Sequence, residues 1–385
     1  MTTVVDRIRT RLVWERHAAR TDELCDTHPL RYLFLEVTRR CNLACRYCGS
    51  SCTGRLPPDE MDVTEWVGVV EQIARDFDPR QVMIAVTGGE PLLKEGIFEL
   101  FRALQRLGFR YGMVSNGQLL DATMAQDLVR SGIRSISLSL DGVPEVNDAL
   151  RGRGAAAKVV AAVGHLRDAN YRGKLEIIST ITRPALARLD EMRRFVASLR
   201  VPLWRVAPVM PIGRAAENPE LVPTADDVRA LLEYVRAARR DKLMPSPEFS
   251  EEGFLGNRFE GHVRPYLCQC RAGITIAGIR HDGRIGACPE LPAAFDQGHV
   301  RTDRFKTVWD ERYEDLRDRS WMRKGDCDGC PQFKVCRGGS LHLYESKESP
   351  FLRCLYKQCK ESEGRPVALG CAGAQAGSVA QTVAR

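Results

Sequence analysis

Three cysteines stand close together near the start of the chain, in the run Cys41-Asn-Leu-Ala-Cys45-Arg-Tyr-Cys48. The run follows an apolar segment, residues 32–37, that is typical of a strand, so the cysteines lie on a loop at its carboxyl end. Three thiolates on one tight loop can bind three irons of a cubane. The fourth iron then has no protein ligand, and an open metal position distinguishes catalytic sites from structural ones.

A zinc knuckle is the competing interpretation of the same loop. Pairs of cysteines two residues apart are common in zinc sites. Cys52 or a distant histidine would then supply the fourth ligand of a tetrahedral ion. The spacing of Cys41, Cys45 and Cys48 alone leaves both metals open.

A second set of cysteines lies in the C-terminal third, where Gly and Pro break the chain into short segments after about Asp241. Such a segment has little core of its own, so metal–thiolate bonds would supply much of its folding energy. The chain has 14 cysteines in 385 residues and no secretory signal, which favours metal ligation in a reducing cytoplasm over disulfides. The members of this set are Cys268, Cys270, Cys288, Cys327, Cys330, Cys336, Cys354 and Cys359.

The elements that must position the first loop alternate regularly between residues 31 and 240. Predicted strands cover residues 32–37, 82–86, 112–114, 135–140, 176–181 and 204–207. Predicted helices cover residues 64–77, 97–107, 122–131, 159–169, 189–199 and 225–238. Six right-handed βα units curl into a full or partial barrel whose active site lies at the carboxyl ends of the strands.

Polar and glycine-rich motifs follow three of these strands. They read Val86-Thr87-Gly88-Gly89-Glu90-Pro91, Ser115-Asn116-Gly117 and Ser139-Leu140-Asp141-Gly142. Together with the cysteine loop and its Tyr47, this combination resembles the radical S-adenosylmethionine (SAM) superfamily and displaces the zinc interpretation. The resemblance implies an enzyme that reductively cleaves SAM to a 5′-deoxyadenosyl radical, which abstracts a hydrogen atom from the substrate.

The resemblance also implies roles for individual residues. Cys41, Cys45 and Cys48 would hold a [4Fe–4S] cluster whose open iron binds SAM. The SAM site would be formed by Tyr47, Gly88, Gly89, Glu90, Pro91, Asn116 and Ser139. Glu90 would contact the methionine amine, and a flavodoxin- or ferredoxin-type protein would donate the electron.

The C-terminal cysteines resemble the SPASM extension of radical SAM enzymes, which implies one or two auxiliary [4Fe–4S] clusters. Cys327, Cys330, Cys336 and Cys354 would ligate the cluster farther from SAM, and Cys270 and Cys288 would belong to the nearer one. The pattern expects a further cysteine where this chain has Ser340. Three outcomes stay open for the nearer cluster: Cys268 or Cys359 substitutes, one iron is open, or the cluster is reduced or absent.

These patterns predict an α/β fold, a partial (β/α)6 TIM-type barrel with a cysteine-rich SPASM extension. The expected division is an N-terminal helical cap over residues 1–27, which would cover the barrel, and the barrel over 28–245. The SPASM extension follows over 246–363, and a disordered tail over 364–385. The cap would be one helix from residue 4 to about 19.

Maturation of a short ribosomally made peptide is the expected function. Residues 1–27 are too few for the peptide-recognition domain common among peptide maturases. The alternative is therefore a small-molecule oxidase or epimerase of a sugar or amino acid in secondary metabolism. A non-enzymatic Fe–S carrier is a third class, which the SAM motifs disfavour. The net charge of +7 is dispersed and no long apolar run occurs, so neither nucleic acid nor membrane is an expected partner. Weak candidates for substrate contact or proton donation are Cys52, Arg205, Met210, Arg214 and His281.

Overall fold

The structure is a computed structural model and describes residues 4–361. Its centre is one sheet of ten strands in the order β10-β9-β8-β1-β2-β3-β4-β5-β6-β7. The strands are β1 (Tyr32–Glu36), β2 (Met83–Thr87), β3 (Arg110–Ser115), β4 (Ser135–Ser139), β5 (Lys174–Ile181), β6 (Leu203–Pro208), β7 (Pro247–Phe249), β8 (Ile276–Ile279), β9 (Arg284–Gly286) and β10 (Gly298–His299).

Fourteen α-helices surround this sheet within the described residues. Their bounds are α1 (Val4–Thr27), α2 (Val63–Asp76), α3 (Ile97–Arg106), α4 (Ala122–Arg130), α5 (Pro144–Arg151), α6 (Ala155–Asp168), α7 (Arg183–Leu186), α8 (Leu189–Ser198), α9 (Arg214–Glu217), α10 (Ala225–Ala238), α11 (Phe305–Glu311), α12 (Glu314–Arg317), α13 (Phe333–Cys336) and α14 (Leu355–Glu361). Capping boxes begin α2, at Asp62, and α10, at Thr224, each worth about 1 kcal/mol.

The six predicted strands are all present as β1 to β6, and they pair in parallel in chain order. β7 adds a parallel strand next to β6, and β8 adds one on the free side of β1. The predicted partial barrel with a C-terminal extension is therefore confirmed. The sequence did not indicate β7 or β8, which are short and lie among Gly and Pro. Because the sheet continues into them, the domain boundary at residue 245 stays a prediction.

The barrel strands form because their apolar residues are covered on both faces. Leu33 and Leu35 of β1 and Ile84 and Val86 of β2 are fully buried. Such near-continuous apolar runs are typical of parallel sheets flanked by helices. The apolar core thus fixes the strand ends, and every motif that follows a strand is brought to the same edge of the sheet.

Helix α1 runs eight residues beyond the predicted end at about residue 19 and packs on the C-terminal segment. Its Trp14 ring meets the Phe254 ring edge-on at 5.4 Å. Thr21 Oγ1 donates to Gln269 Oε1 at 3.0 Å. The described side chains of this helix therefore contact the extension. The predicted cap over the barrel stays a prediction.

Among residues 4–361, no helix combines the length and the apolar character needed to cross a bilayer. The predicted tail over 364–385 lies outside the described residues.

Candidate active site

The cysteine loop leads from the carboxyl end of β1 into a cavity of about 300 Å³. This cavity gathers most of the candidates that the sequence indicated for the SAM site. It is lined by Cys41, Cys45, Tyr47, Cys48, Cys52, Gly88, Gly89, Asn116, Ser139, Met210 and Arg214. The loop that follows β1 and residues at the carboxyl ends of β2 to β6 thus meet at one edge of the sheet, where barrel enzymes carry their sites.

The spacing of the thiols bears on which metal they suit. A tetrahedral zinc ion with Zn–S bonds of about 2.3 Å needs sulfurs about 3.8 Å apart. Within the described part of the chain, no three cysteines bring their sulfurs within 4.8 Å of one another. This spacing does not match a single tetrahedral zinc ion.

Burial governs the protonation of these thiols. It raises the pKa of Cys41 and raises that of Cys45 to about 11. A hydrogen bond with the Cys52 thiol lowers the pKa of Cys48 and raises that of Cys52. Since iron binds the thiolate, cluster assembly must displace protons from Cys41 and Cys45, and their metal affinity should fall at low pH.

Arg214 holds the cysteine loop in place. Its Nε donates to the Cys45 carbonyl oxygen at 2.7 Å, and its Nη1 donates to the Cys52 carbonyl oxygen at 2.8 Å. Its backbone N–H donates to the Cys48 carbonyl oxygen at 3.0 Å. The sequence indicated Arg214 only as a weak substrate contact, which stays a prediction, and the structure adds a role in supporting the loop.

Gly88 and Gly89 pack against the start of the same loop. A Cβ atom would lie 2.3 Å from the Thr38 carbonyl oxygen at Gly88 and 2.2 Å from the Arg40 carbonyl oxygen at Gly89. Gly88 also has a φ of +147°, which side chains rarely adopt. The two glycines therefore let β2 approach the cysteine loop closely, and they also line the cavity.

Glu90 is fully buried behind the cavity wall and does not line the cavity. Its carboxylate accepts hydrogen bonds from the backbone N–H of Asn116 at 2.7 Å, Ser115 Oγ at 2.9 Å and the backbone N–H of Leu92 at 3.2 Å. Burial raises the pKa of Glu90 to about 7, although these donors oppose the shift. Glu90 thus ties β3 to the loop after β2. Contact of Glu90 with the methionine amine, and of Pro91 with SAM, stays a prediction.

Asn116 links the end of β3 to the cysteine loop. Its Nδ2 donates to Asn42 Oδ1 at 2.8 Å and lies 3.7 Å from the Cys41 sulfur. N–H groups directed at sulfur stabilise a thiolate. Asn116 therefore reaches the cluster loop as well as the cavity.

The Tyr47 hydroxyl donates to the Asp141 carboxylate, which also accepts from Arg151 Nε. Arg151 lies over the Tyr47 ring at 5.8 Å from its centre. The sequence placed Asp141 in a strand-end motif but assigned it no role, and it did not indicate Arg151. These two residues fix the position of Tyr47 in the cavity wall.

Two weak candidates do not reach the cavity. Arg205 Nε donates to Glu176 Oε2 at 3.0 Å, and His281 Nδ1 lies 3.4 Å from Glu36 Oε2. Both therefore have partners in the sheet or beside it, and neither lines the cavity.

The structure brings together the cysteines assigned to the farther auxiliary cluster. Cys327, Cys336 and Cys354 interact electrostatically with one another, and Cys330 interacts with Cys327 and Cys336. The Cys354 sulfur accepts a hydrogen bond from the Lys357 backbone N–H at 3.5 Å. These four residues fit a cysteine-ligated cluster. Cys359 lies beside Cys354 and not beside the nearer group.

The nearer group contains Cys268, Cys270 and Cys288, whose thiols are all within electrostatic range of Glu252. Ser340, which occupies the position of the expected cysteine, is buried. Its hydroxyl donates to Glu251 Oε1 at 2.9 Å. The hydroxyl of Ser340 therefore forms a hydrogen bond with the Glu251 carboxylate.

The open parallel barrel, the cysteine loop at its strand ends and the cysteine-rich extension define an iron–sulfur enzyme of the radical SAM class. The family model described as "Radical SAM superfamily" matches residues 35–184, and that described as "Iron-sulfur cluster-binding domain" (SPASM) matches residues 268–331. The chain belongs to the radical SAM superfamily and is an enzyme of its SPASM type.

Relatives align over most of the chain. The mycofactocin maturase MftC of Mycolicibacterium smegmatis is 30% identical over 80% of this chain and 76% of its own length. An AdoMet-dependent heme synthase of Methanosarcina barkeri is 26% identical over 87% of this chain and 99% of its own length. The crystal structure of Streptococcus suis SuiB bound to the precursor peptide SuiA has a TM-score of 0.66 at 20% identity, covering 88% of this chain and 78% of SuiB. The comparison with SuiB shows that this chain and SuiB share a fold.

Membership of the family gives the cofactors, which are [4Fe–4S] clusters and SAM. The site fits them, since every cysteine in the described residues is free of disulfides and four of them, including Cys41, Cys45 and Cys48, line the cavity. When bound, the cluster and SAM together supply a 5′-deoxyadenosyl radical that abstracts a hydrogen atom.

Proposed function

We propose that this enzyme matures a short ribosomally made peptide by abstracting a hydrogen atom from one of its residues. The alignment with a protein named as a maturase, at 30% identity over 80% of this chain, carries the proposal. The cavity supports it, because its wall includes Glu251, Glu290 and His342 of the C-terminal segment beside the strand ends. A peptide side chain would reach the radical between the barrel and the extension.

Each group in the cavity has a place in this proposal. Cys41, Cys45 and Cys48 hold the SAM-binding cluster and leave one iron open for SAM. Gly88, Gly89, Asn116 and Ser139 contact SAM, and Tyr47 forms one wall of its site. The protein contributes position and exclusion of water more than acid–base chemistry, since a radical needs no general base but is quenched by solvent.

We place the reaction in the cytoplasm, with a flavodoxin- or ferredoxin-type protein as electron donor. The free thiols require a reducing compartment. Cys327, Cys330, Cys336 and Cys354 would hold an auxiliary cluster, which would supply electron-transfer chemistry.

The test is an anaerobic reaction of the reconstituted enzyme with SAM, a reductant and a short peptide encoded beside its gene. We expect the mass of the peptide to change in step with formation of 5′-deoxyadenosine. The variant in which Cys41, Cys45 and Cys48 are all alanine is the control and should give neither product. Formation of 5′-deoxyadenosine with no change in any such peptide would count against the proposal.

Heme synthesis is a second candidate, because the M. barkeri relative aligns along 99% of its own length. The same assay with a porphyrin precursor in place of the peptide distinguishes the two. A modified porphyrin and an unmodified peptide would favour heme synthesis.

A further inference from the structure

A carboxylate–imidazole group lies beside the nearer auxiliary cysteines. Glu251, Glu252 and His342 each offer one ligand atom, and these atoms all lie within 4.8 Å of one another. Glu251 and His342 also line the cavity that contains the SAM-cluster cysteines. The three residues come from two segments about ninety positions apart in sequence. Folding therefore assembles a potential ligand set that no short motif would reveal.

The spacing within this group suits a shared metal better than a hydrogen bond. His342 Nε2 lies 3.5 Å from Glu251 Oε1, which is beyond the usual range of about 2.7–3.2 Å for a nitrogen–oxygen hydrogen bond. Two ligands bound at about 2.1 Å around a tetrahedral ion lie about 3.4 Å apart. The observed separation thus matches two donors in one coordination shell.

Within the described residues, no lysine or arginine side chain bonds directly to the Glu251 or Glu252 carboxylate, although the charges of Arg264 and Arg353 act on Glu251 at longer range. Arg264 binds the Glu260 carboxylate and the Glu251 backbone carbonyl oxygen. Within the described residues, the one hydrogen-bond donor to the Glu252 carboxylate is its own backbone N–H. Two neighbouring carboxylates are costly to bury without a positive partner. A bound divalent cation would neutralise both.

The Ser340 hydroxyl orients this group. It donates to Glu251 Oε1 at 2.9 Å and lies 3.1 Å from the Glu252 carbonyl oxygen. Groups that hydrogen-bond to a metal ligand fix its orientation and tune its affinity. The position that holds a thiolate in the family pattern thus supports an oxygen ligand here.

We propose that Glu251, Glu252 and His342 bind one first-row divalent cation, Fe²⁺ or Zn²⁺, in the wall of the SAM cavity. Imidazole with carboxylate is a donor set that suits these ions more than Ca²⁺ or Mg²⁺. The remaining coordination positions of the ion take an oxygen of the substrate and hold it beside SAM. The inference does not depend on whether the substrate is a peptide.

Zinc is the probe for the test, with anaerobically reconstituted full-length protein. After addition of Zn²⁺ and desalting, the wild type should retain one zinc in addition to its irons. X-ray absorption should show zinc–nitrogen/oxygen distances of about 2.0–2.1 Å, whereas zinc in a vacant cysteine site would show Zn–S distances of about 2.3 Å. A wild-type spectrum dominated by sulfur, or no retained zinc, would overturn the proposal.

Matched variants test the ligands themselves. Glu252→Gln and His342→Ala should each lower zinc affinity by more than about a hundredfold, since losing a ligand exceeds the 10–100-fold effect of losing a supporting group. Their iron content should stay at the wild-type value. Glu348→Gln changes an exposed carboxylate outside the group, one that accepts a hydrogen bond from Ser346, and should keep the zinc. Unchanged affinity in the first two variants contradicts the proposal. Loss of about four irons from them assigns the residues to the nearer cluster and also contradicts it.

Discussion

The loop that carries Cys41, Cys45 and Cys48 differs from the nearer auxiliary site in how its donors are assembled. The loop holds its three thiols within eight consecutive residues, and the elements around it bind its backbone. The nearer auxiliary site draws its donors from four segments: residues 251–252, 268–270, 288 and 340–342. Its expected fourth thiol is a serine.

This difference determines which other donors can replace a changed cysteine in each region. In the loop, a changed cysteine has no other donor to replace it except Cys52. In the auxiliary site, the hydroxyl of Ser340 recruits Glu251, and oxygen and nitrogen donors occupy the surroundings. The loop therefore offers sulfur donors, whereas the surroundings of the nearer auxiliary site offer oxygen and nitrogen donors as well.

The largest effect should follow from emptying the loop. Replacing Cys41, Cys45 and Cys48 together by alanine should remove about four irons, because a single cubane is lost. It should also abolish formation of 5′-deoxyadenosine from SAM. Iron analysis and chromatography of the products measure the two effects. Retained cleavage in this variant would refute the assignment of the loop.

Emptying the farther auxiliary group should separate the two kinds of cluster. Cys327→Ala with Cys336→Ala should also remove about four irons. Cleavage of SAM in the absence of substrate should persist, because the loop cluster stays intact. Cys25 lies outside both groups of cysteines, so the Cys25→Ala variant is the control and should keep all its irons. If the double variant cannot cleave SAM under chemical reduction, the two clusters are not independent.

Arg214→Met should slow SAM cleavage by about 10–100-fold, the usual cost of removing a group that positions metal ligands. The variant leaves the Cys45 and Cys52 carbonyl oxygens without their donors. Arg214→Lys should recover only part of the rate, since one ammonium does not reproduce the fork of a guanidinium. Arg46→Met is the control, because Arg46 lies on the same loop but pairs at the surface with Glu220. Equal rates in the Arg214 and Arg46 variants would exclude a positioning role.

Local sequence patterns correctly predicted the features of the fold and the site that depend on residues close together in the sequence. The six barrel strands, the helices between them and the cavity position of Tyr47, Asn116 and Ser139 all followed from strand-end motifs. Parallel strands necessarily bring their carboxyl ends to one edge, so order along the chain gives proximity.

What the sequence could not indicate depends on contacts between distant segments. The pairing of β8 with β1 joins residues more than 240 positions apart. Contacts between distant segments also produce three features of the site. These are the hydrogen bonds of Arg214, the position of Glu90 behind the cavity, and the group of Glu251 with His342. Only the packing of the Arg214 segment on the cysteine loop has a local signal in the sequence. This signal is Gly213, where a Cβ would lie 2.2 Å from the Gly49 carbonyl oxygen.

The smallest effect should follow from Ser340→Ala, which tests whether the substituted position supports a metal through Glu251. The change removes one hydrogen bond to Glu251 but no proposed ligand. Zinc affinity should therefore fall by about tenfold, the lower end for loss of a supporting group. The iron content and the rate of SAM cleavage should stay the same.

Ser320→Ala, at an exposed serine that bonds to Asp318, is the matched control and should change none of these quantities. Loss of iron from Ser340→Ala would mean that the hydroxyl binds the nearer cluster directly, and the two regions would then differ less than their donors suggest.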